Sequence, residues 1–233
     1  QKGTLIMAYQ SNMEVLRDTL TLEGLRVLDV GSGAGPLVRY MTKHGASAVG
    51  LECGAAQLAK AHATDAQGDE EYVEAFGQDM PFDDASFDAV IFFNSLHHIP
   101  AEFMDAALAE AARVVRPNGT VYIAEPVAEG PSFEMYTPVD DETVVRAQAD
   151  EAIGRVPPGM LIHDKTILYD TVHHYTDYEE VREEGMRISP DRAAAFEQND
   201  ALMRANFEKY GVLDEDGYGF EQPMRVNVLH KPG

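Results

Sequence analysis

The stretch Val27-Leu28-Asp29-Val30-Gly31-Ser32-Gly33-Ala34-Gly35 decides how the chain folds. An apolar, β-branched run reads as a buried strand and stops in three glycines spaced two apart. Glycine accepts positive φ and lets backbone approach a ligand with no Cβ in the way. Pro36 follows and suits the first turn of a helix. That helix would aim its amide N–H groups and positive dipole end into the space above the glycines, as an anion site requires. The dinucleotide fingerprint G-x-G-x-x-G needs glycine at position 36, so Pro36 removes that spelling.

Working outward, Leu25–Val30 reads as the first strand, 36–44 as a crossover helix ended by Gly45, and Ser47–Glu52 as the second strand. Glu52 closes that strand nineteen residues after Gly33, the spacing of an acid that accepts from two ribose hydroxyls. Cys53 stands beside it, and Gln57, one turn into a helix over Ala55–Ala63, could face the nucleoside. A short strand over 71–76 leads to Gly77-Gln78-Asp79-Met80-Pro81-Phe82. The run Phe87–Phe93 is apolar nearly throughout, like a central parallel strand covered on both faces. It ends in Asn94-Ser95-Leu96-His97-His98-Ile99-Pro100, at the carboxyl end of a strand, where open α/β sheets bind ligands. A helix over 101–115 and a strand over 120–124 ending at Glu125-Pro126 complete an alternation that predicts a doubly wound sheet.

These features resemble the class I S-adenosylmethionine (SAM) dependent methyltransferases. The resemblance rests on Asp29 with Gly31, Gly33 and Gly35, on Glu52, and on wording around Met80–Phe87, Ser95–Ile99 and Pro117–Gly119 close to the small-molecule, ubiquinone/menaquinone branch. It spans about residues 25–125. It implies an α/β fold: a doubly wound, mostly parallel, seven-stranded Rossmann-like sheet with an inserted, partly helical cap. It implies SAM held by Asp29, Gly31, Ser32, Gly33, Gly35, Glu52, Cys53, Gln57 and Asn94. Asp79 would accept from the adenine amino group, and the Met80 N–H would meet a ring nitrogen.

A single domain is expected, with a lid helix in 1–22, the SAM-binding core in 23–126, a substrate-covering cap in 127–168 and a part completing the sheet in 169–233. The lid helix is read over 4–20, with Leu5, Ala8, Met13, Leu16 and Leu20 on one side, carrying Tyr9 or Asn12 over the cofactor mouth. Helices are expected near 141–153, 177–185 and 190–210, with strands over 161–175 and 222–230 closing the sheet as a hairpin.

Methyl transfer from a sulfonium needs alignment first, and a base only where the acceptor must lose a proton. His97 and His98 are the candidate bases because imidazole titrates near neutrality. Tyr9, Glu125, Tyr169 and His173 are candidates for the acceptor, with Tyr136 and His174 behind them. Two His pairs and His163 also raise a metal, but no i, i+4 His motif is present and the reaction needs none, so no metal is expected.

The net charge of −22 disfavours nucleic acid and anionic membranes as partners and suits a small polar methyl acceptor. The single cysteine excludes an internal disulfide framework. No run approaches the roughly 20 apolar residues of a membrane span, and 1–3 shows no signal-peptide pattern. A cytoplasmic protein is expected, with a homodimer left open and the missing initiator Met leaving room for upstream residues. Two other functions remain: a SAM-binding sensor or partner subunit without catalysis, and an NAD-dependent oxidoreductase.

Overall fold

A computed structural model describes residues 3–6 and 9–233. In chain order it contains β1 (Gly3–Ile6), α1 (Asn12–Thr19), β2 (Arg26–Val30), α2 (Pro36–Lys43), β3 (Ser47–Glu52), α3 (Ala55–Ala63), β4 (Glu71–Glu74) and β5 (Phe87–Phe93). A short 3-10 turn at Leu96–His98 precedes α4 (Ala101–Val114) and β6 (Val115–Pro126). Then come α5 (Pro131–Tyr136), α6 (Thr143–Arg155), β7 (Ile162–Tyr175), α7 (Tyr178–Met186), α8 (Pro190–Tyr210), β8 (Val212–Asp214) and β9 (Gly217–His230).

One sheet runs in the order β1-β7-β9-β6-β5-β2-β3-β4, with β8 paired to β9. Strands β2 to β6 pair parallel with their neighbours, and β9 lies antiparallel between β6 and β7. Seven of these strands make the expected doubly wound sheet, and β1 and β8 are additions. Because side chains alternate across a strand, successive residues feed opposite layers. Val27, Ala89 and Ile91 face α1 and α2, while Leu28, Val90 and Phe92 face α4 and α6. The order reverses between β2 and β5, so the glycine loop after β2 and the polar segment after β5 open into the same crevice. No described helix is long and apolar enough to cross a membrane.

The helix expected over 4–20 is corrected. Gly3–Ile6 is a strand, parallel to β7 with Leu5 opposite Ile167 and Ile6 opposite Leu168. The helix starts only at Asn12, where Ser11 and Glu14 form a reciprocal capping box. Glycine followed by Thr and Ile suits an extended edge, and the Ser-x-x-Glu signal marks the true start; Ala8 lies outside the described residues. The strand expected over 120–124 extends to Val115–Pro126.

Within 127–168, α6 packs on α4 as part of the main core through Ala149, Ala152 and Ile153. The helices that cluster apart from it are α5, α7 and α8, around Met135, Tyr178, Phe196, Met203 and Phe207.

Candidate functional site

The loop after β2 is fastened to β3 before it reaches any ligand. The amides of Gly31 and Ser32 both donate to the Leu51 carbonyl, at 2.8 and 3.0 Å. Gly31 and Gly33 hold φ of +77° and +55°. A Cβ on Gly31 would lie 2.7 Å from the Ser95 Cβ, whereas one on Gly33 would meet nothing within 4 Å. Gly33 therefore presents bare backbone to a cleft of about 300 Å³. Gly31, Glu52, Cys53 and Gln57 line it as expected, joined by Ala75, Gly77, Ser95, His98 and Ile99. Glu52 stretches across the mouth, accepting from the Gly33 N–H at 2.8 Å and the Gly54 N–H at 2.7 Å. Beneath it Asp29 is buried, and that burial, with the nearby Glu52 charge, pushes its carboxyl up to about 7.

Three of the expected cofactor residues stand behind this surface. Gly35 caps α2 with φ +80°, against the Tyr72 ring. Ser32 turns its hydroxyl toward Gly50 on β3, where it has no protein partner. Asn94, at φ +52°, lines the neighbouring cavity instead of this one.

The adenine-edge pair is not brought to the cleft. Asp79 is exposed, and the buried Met80 gives its N–H to Glu110 on α4 at 2.9 Å. Arg113 tightens that tie by donating to the carbonyls of Met80 and Phe82 at 2.9 and 2.7 Å. Ala75 and Gly77 form that wall of the cleft.

A second cavity, of about 240 Å³, lies beyond His98. His98 lines both spaces. Its neighbours here are His97, Asn94, Asn12, Ser132, Tyr136, Asp140, Glu142, Arg146, His173 and Arg192, drawn from loops, four helices and β7. Burial, reinforced by His97, lowers the His98 pKa and favours its neutral imidazole.

His97 is buried, its ring centroid 4.1 Å from that of His98. Its Nδ1 meets a carboxylate oxygen of Glu125, whose other oxygen accepts from the Leu96 N–H at 2.9 Å. Its Nε2 faces Glu142 Oε1 at 3.8 Å, and Glu142 Oε2 accepts from Arg146 at 2.6 Å. Burial works to raise the Glu142 pKa, but Arg146 and His97 outweigh it and keep the group ionised.

Of the residues expected at the acceptor, His173 lines this cavity and meets Ser132 Oγ at 3.2 Å, and Tyr136 lines it beside Tyr175. Glu125 sits behind His97. Tyr169 is buried and donates to Asn12 at 2.7 Å, so it fixes α1 and leaves Asn12 to face the cavity. Tyr9 is 59% exposed and bonds Glu221 away from the cavity. His174 pairs with Asp214 at 3.1 Å, and His163 meets Asn227 and Thr166. Sequence reading missed Asp140, Glu142, Arg146 and Arg192. The only trace was the i, i+4 spacing of Glu142 and Arg146, which reads as a solvated helix pair.

The strand order, the positive-φ glycine loop and the carboxylate at the end of β3 are those that the resemblance to the class I SAM-dependent methyltransferases implies. A methyltransferase-domain family matches residues 28–123. A ubiquinone biosynthesis O-methyltransferase of Pseudomonas entomophila (strain L48) is 34% identical over 113 residues, covering 46% of this chain and 47% of that protein. A 27-O-demethylrifamycin SV methyltransferase of Amycolatopsis mediterranei (strain S699) is 35% identical over 109 residues, covering 44% and 39%. The chain thus matches about half, or less, of the length of these curated relatives. The fold is that of a methyltransferase-like protein of Bacillus halodurans C-125, with TM-score 0.64, 19% identity, and coverage of 96% of this chain and 100% of that one. SAM is the cofactor of the class. The residues fit it: Gly33 offers open backbone, and Glu52 offers a carboxylate at the end of β3 in the lining of the cleft.

Proposed function

We propose that the protein transfers the methyl group of SAM to a small polar acceptor, through N, O or C, and releases S-adenosylhomocysteine (SAH). The observation that carries this reading is that His98 lines both the glycine cleft and the polar cavity. When bound, SAM supplies a methyl on a sulfonium, so the C–S electron pair leaves with a neutral sulfur as the acceptor–carbon bond forms. Glu52 would hold the ribose hydroxyls, and Gly31 and Gly33 the methionine end. Cys53 and Gln57 line the nucleoside side. His98 faces the path between donor and acceptor, and Glu125 sets the His97 ring against it. Helices α5, α6 and α8 wall the acceptor cavity through Tyr136, Glu142, Arg146 and Arg192. Alignment of this kind is worth roughly 7–11 kcal/mol of barrier.

The charge of −22 and the charged cavity lining favour a polar small molecule over nucleic acid or a membrane lipid. Both relatives named above carry O-methylation in their names, so hydroxylated acceptors head the screen. The test is a thermal-shift comparison of SAM, SAH and NAD, followed by label transfer from SAM to a panel of phenols, alcohols, carboxylates and amines. SAM and SAH should stabilise the chain, and a hydroxylated acceptor should become labelled. Stabilisation by NAD alone overturns the cofactor, and SAM binding without transfer to any of the panel leaves a non-catalytic SAM-binding protein.

A further inference from the structure

His97, His98 and Glu142 come together from the turn after β5 and the N-terminus of α6, and three features of the group exceed what packing needs. Their donor atoms lie within 4.8 Å of one another. His97 Nε2 and Glu142 Oε1, 3.8 Å apart, are too far for a hydrogen bond. Two ligands on one tetrahedral ion with bonds of about 2.0–2.1 Å stand roughly 3.3 Å apart, so a small closing motion brings them into range.

Two of the three ligands are also held from behind. Glu125 engages His97 Nδ1, which leaves Nε2 as the nitrogen with the free lone pair. Arg146 engages Glu142 Oε2 and leaves Oε1 turned toward the imidazole. This is the carboxylate–histidine arrangement that orients a metal ligand. The group borders both the 240 Å³ cavity and an adjoining space of about 540 Å³, so a bound ion keeps a position open to a small molecule.

We propose that His97, His98 and Glu142 bind one borderline divalent ion of the Zn²⁺ type in the wall of the acceptor cavity, and that its open position takes an oxygen of the methyl acceptor. Two nitrogens and one carboxylate select such an ion over Mg²⁺ or Ca²⁺, which prefer all-oxygen sites. Three protein ligands with a fourth position free is the pattern of zinc sites that take a substrate. The assignment of an acceptor oxygen rests on the methyltransferase reading, whereas the ion site itself does not.

Tag-free protein stripped with a chelator and titrated with Co²⁺, followed by visible absorption and calorimetry, tests the site. One equivalent should bind with ligand-field bands of a low-coordinate ion, and Zn²⁺ should displace it. Glu142→Gln and His98→Ala should each weaken binding at least about tenfold, and Glu125→Gln about tenfold through His97. SAH-induced thermal stabilisation of each variant shows that it is folded. His174→Ala, in the exposed His174, Asp214 and Asp216 cluster, should leave Co²⁺ affinity unchanged. Absence of stoichiometric Co²⁺ binding, or its loss in His174→Ala with retention in Glu142→Gln, overturns the proposal. Failure of the wild-type protein to bind SAH in the same samples would instead overturn the proposed methyl transfer and leave the ion site standing.

Discussion

The cleft after β2 takes its shape from three glycines and the edge of β3, and the cavity beyond His98 takes its character from charged and aromatic side chains. In the cleft, Gly31 and Gly33 and the edge of β3 set the shape, and Glu52 is the one carboxylate on the surface. Across His98, the cavity draws charge from Asp140, Glu142, Arg146 and Arg192, and rings from Tyr136 and His173. Their carboxylates are neutralised in pairs, Asp140 by Arg192 and Glu142 by Arg146. The deeply buried carboxylate under the cleft, Asp29, has no ion-pair cation among the described residues and is pushed toward its neutral form. A site built on backbone is fixed in shape and general in what it binds. A site built on paired side chains is where acceptor specificity can change without disturbing the fold.

Gly31→Ala should break the comparison hardest on the donor side. The left-handed backbone alone costs about 1–2 kcal/mol for a residue with a Cβ. The added atom would also sit 2.7 Å from the Ser95 Cβ and disturb the 2.6 Å bond from Ser95 Oγ to the Val30 carbonyl. SAM affinity measured by calorimetry should fall about 100-fold or more, roughly 3 kcal/mol, with a lower Tm. Near-wild-type affinity would mean that this loop does not hold the cofactor.

Glu52→Ala removes the acceptor for the Gly33 and Gly54 amides and for the ribose together. SAM binding should weaken by roughly 1–3 kcal/mol, while the acceptor KM at saturating SAM stays put. If KM rises instead, the two spaces are not the separate donor and acceptor sites described above.

The Asp29 contrast has a sign that can be measured. Its folded pKa of about 7 stands above its ordinary value of 3.8. Below about pH 4 both folded and unfolded chains carry the proton. Between about 4 and 7 the unfolded chain has released it and the folded chain has not, so stability falls as pH rises, by at most about 1.4 kcal/mol per unit. Asp29→Asn should therefore gain stability relative to wild type from pH 4 to pH 7 in urea unfolding, and hold that gain above. Parallel pH profiles for the two proteins would remove the claim that burial dominates at Asp29.

The same contrast explains what could be read in the sequence. One side of the cleft lies within residues 29–57, where the glycines, Glu52 and Gln57 keep a spacing that backbone geometry enforces, so that stretch was legible as a motif. Asp79 and Met80 do not line the cleft: Glu110 and Arg113, thirty residues on, tie that loop to α4, and no local pattern announces it. The near-continuous apolar runs of β2 and β5 announced a sheet covered on both faces. The start of the chain misled because apolar residues in 4–20 fit a helical spacing, although Ser11 and Glu14 marked the true boundary. Of the polar cavity, His97, His98, Tyr136 and His173 could be singled out by residue type, whereas Asp140, Glu142, Arg146 and Arg192 could not, because they reach it from separate segments that only the folded chain gathers.

His173→Ala gives the smallest of these effects and the sharpest check on that division. His173 lines the acceptor cavity, meets Ser132 Oγ at 3.2 Å, and lies outside the donor cleft. Burial lowers its pKa first, with Arg146 adding to the effect, so it serves as a neutral hydrogen-bonding wall. Removing such a partner is worth about 1 kcal/mol, so the acceptor KM should rise roughly fivefold. SAM affinity should not move, because His173 does not line the cleft. A change in SAM affinity as large as the change in KM would show that the wall from His98 to His173 moves as one piece, and that donor and acceptor sites are coupled through it.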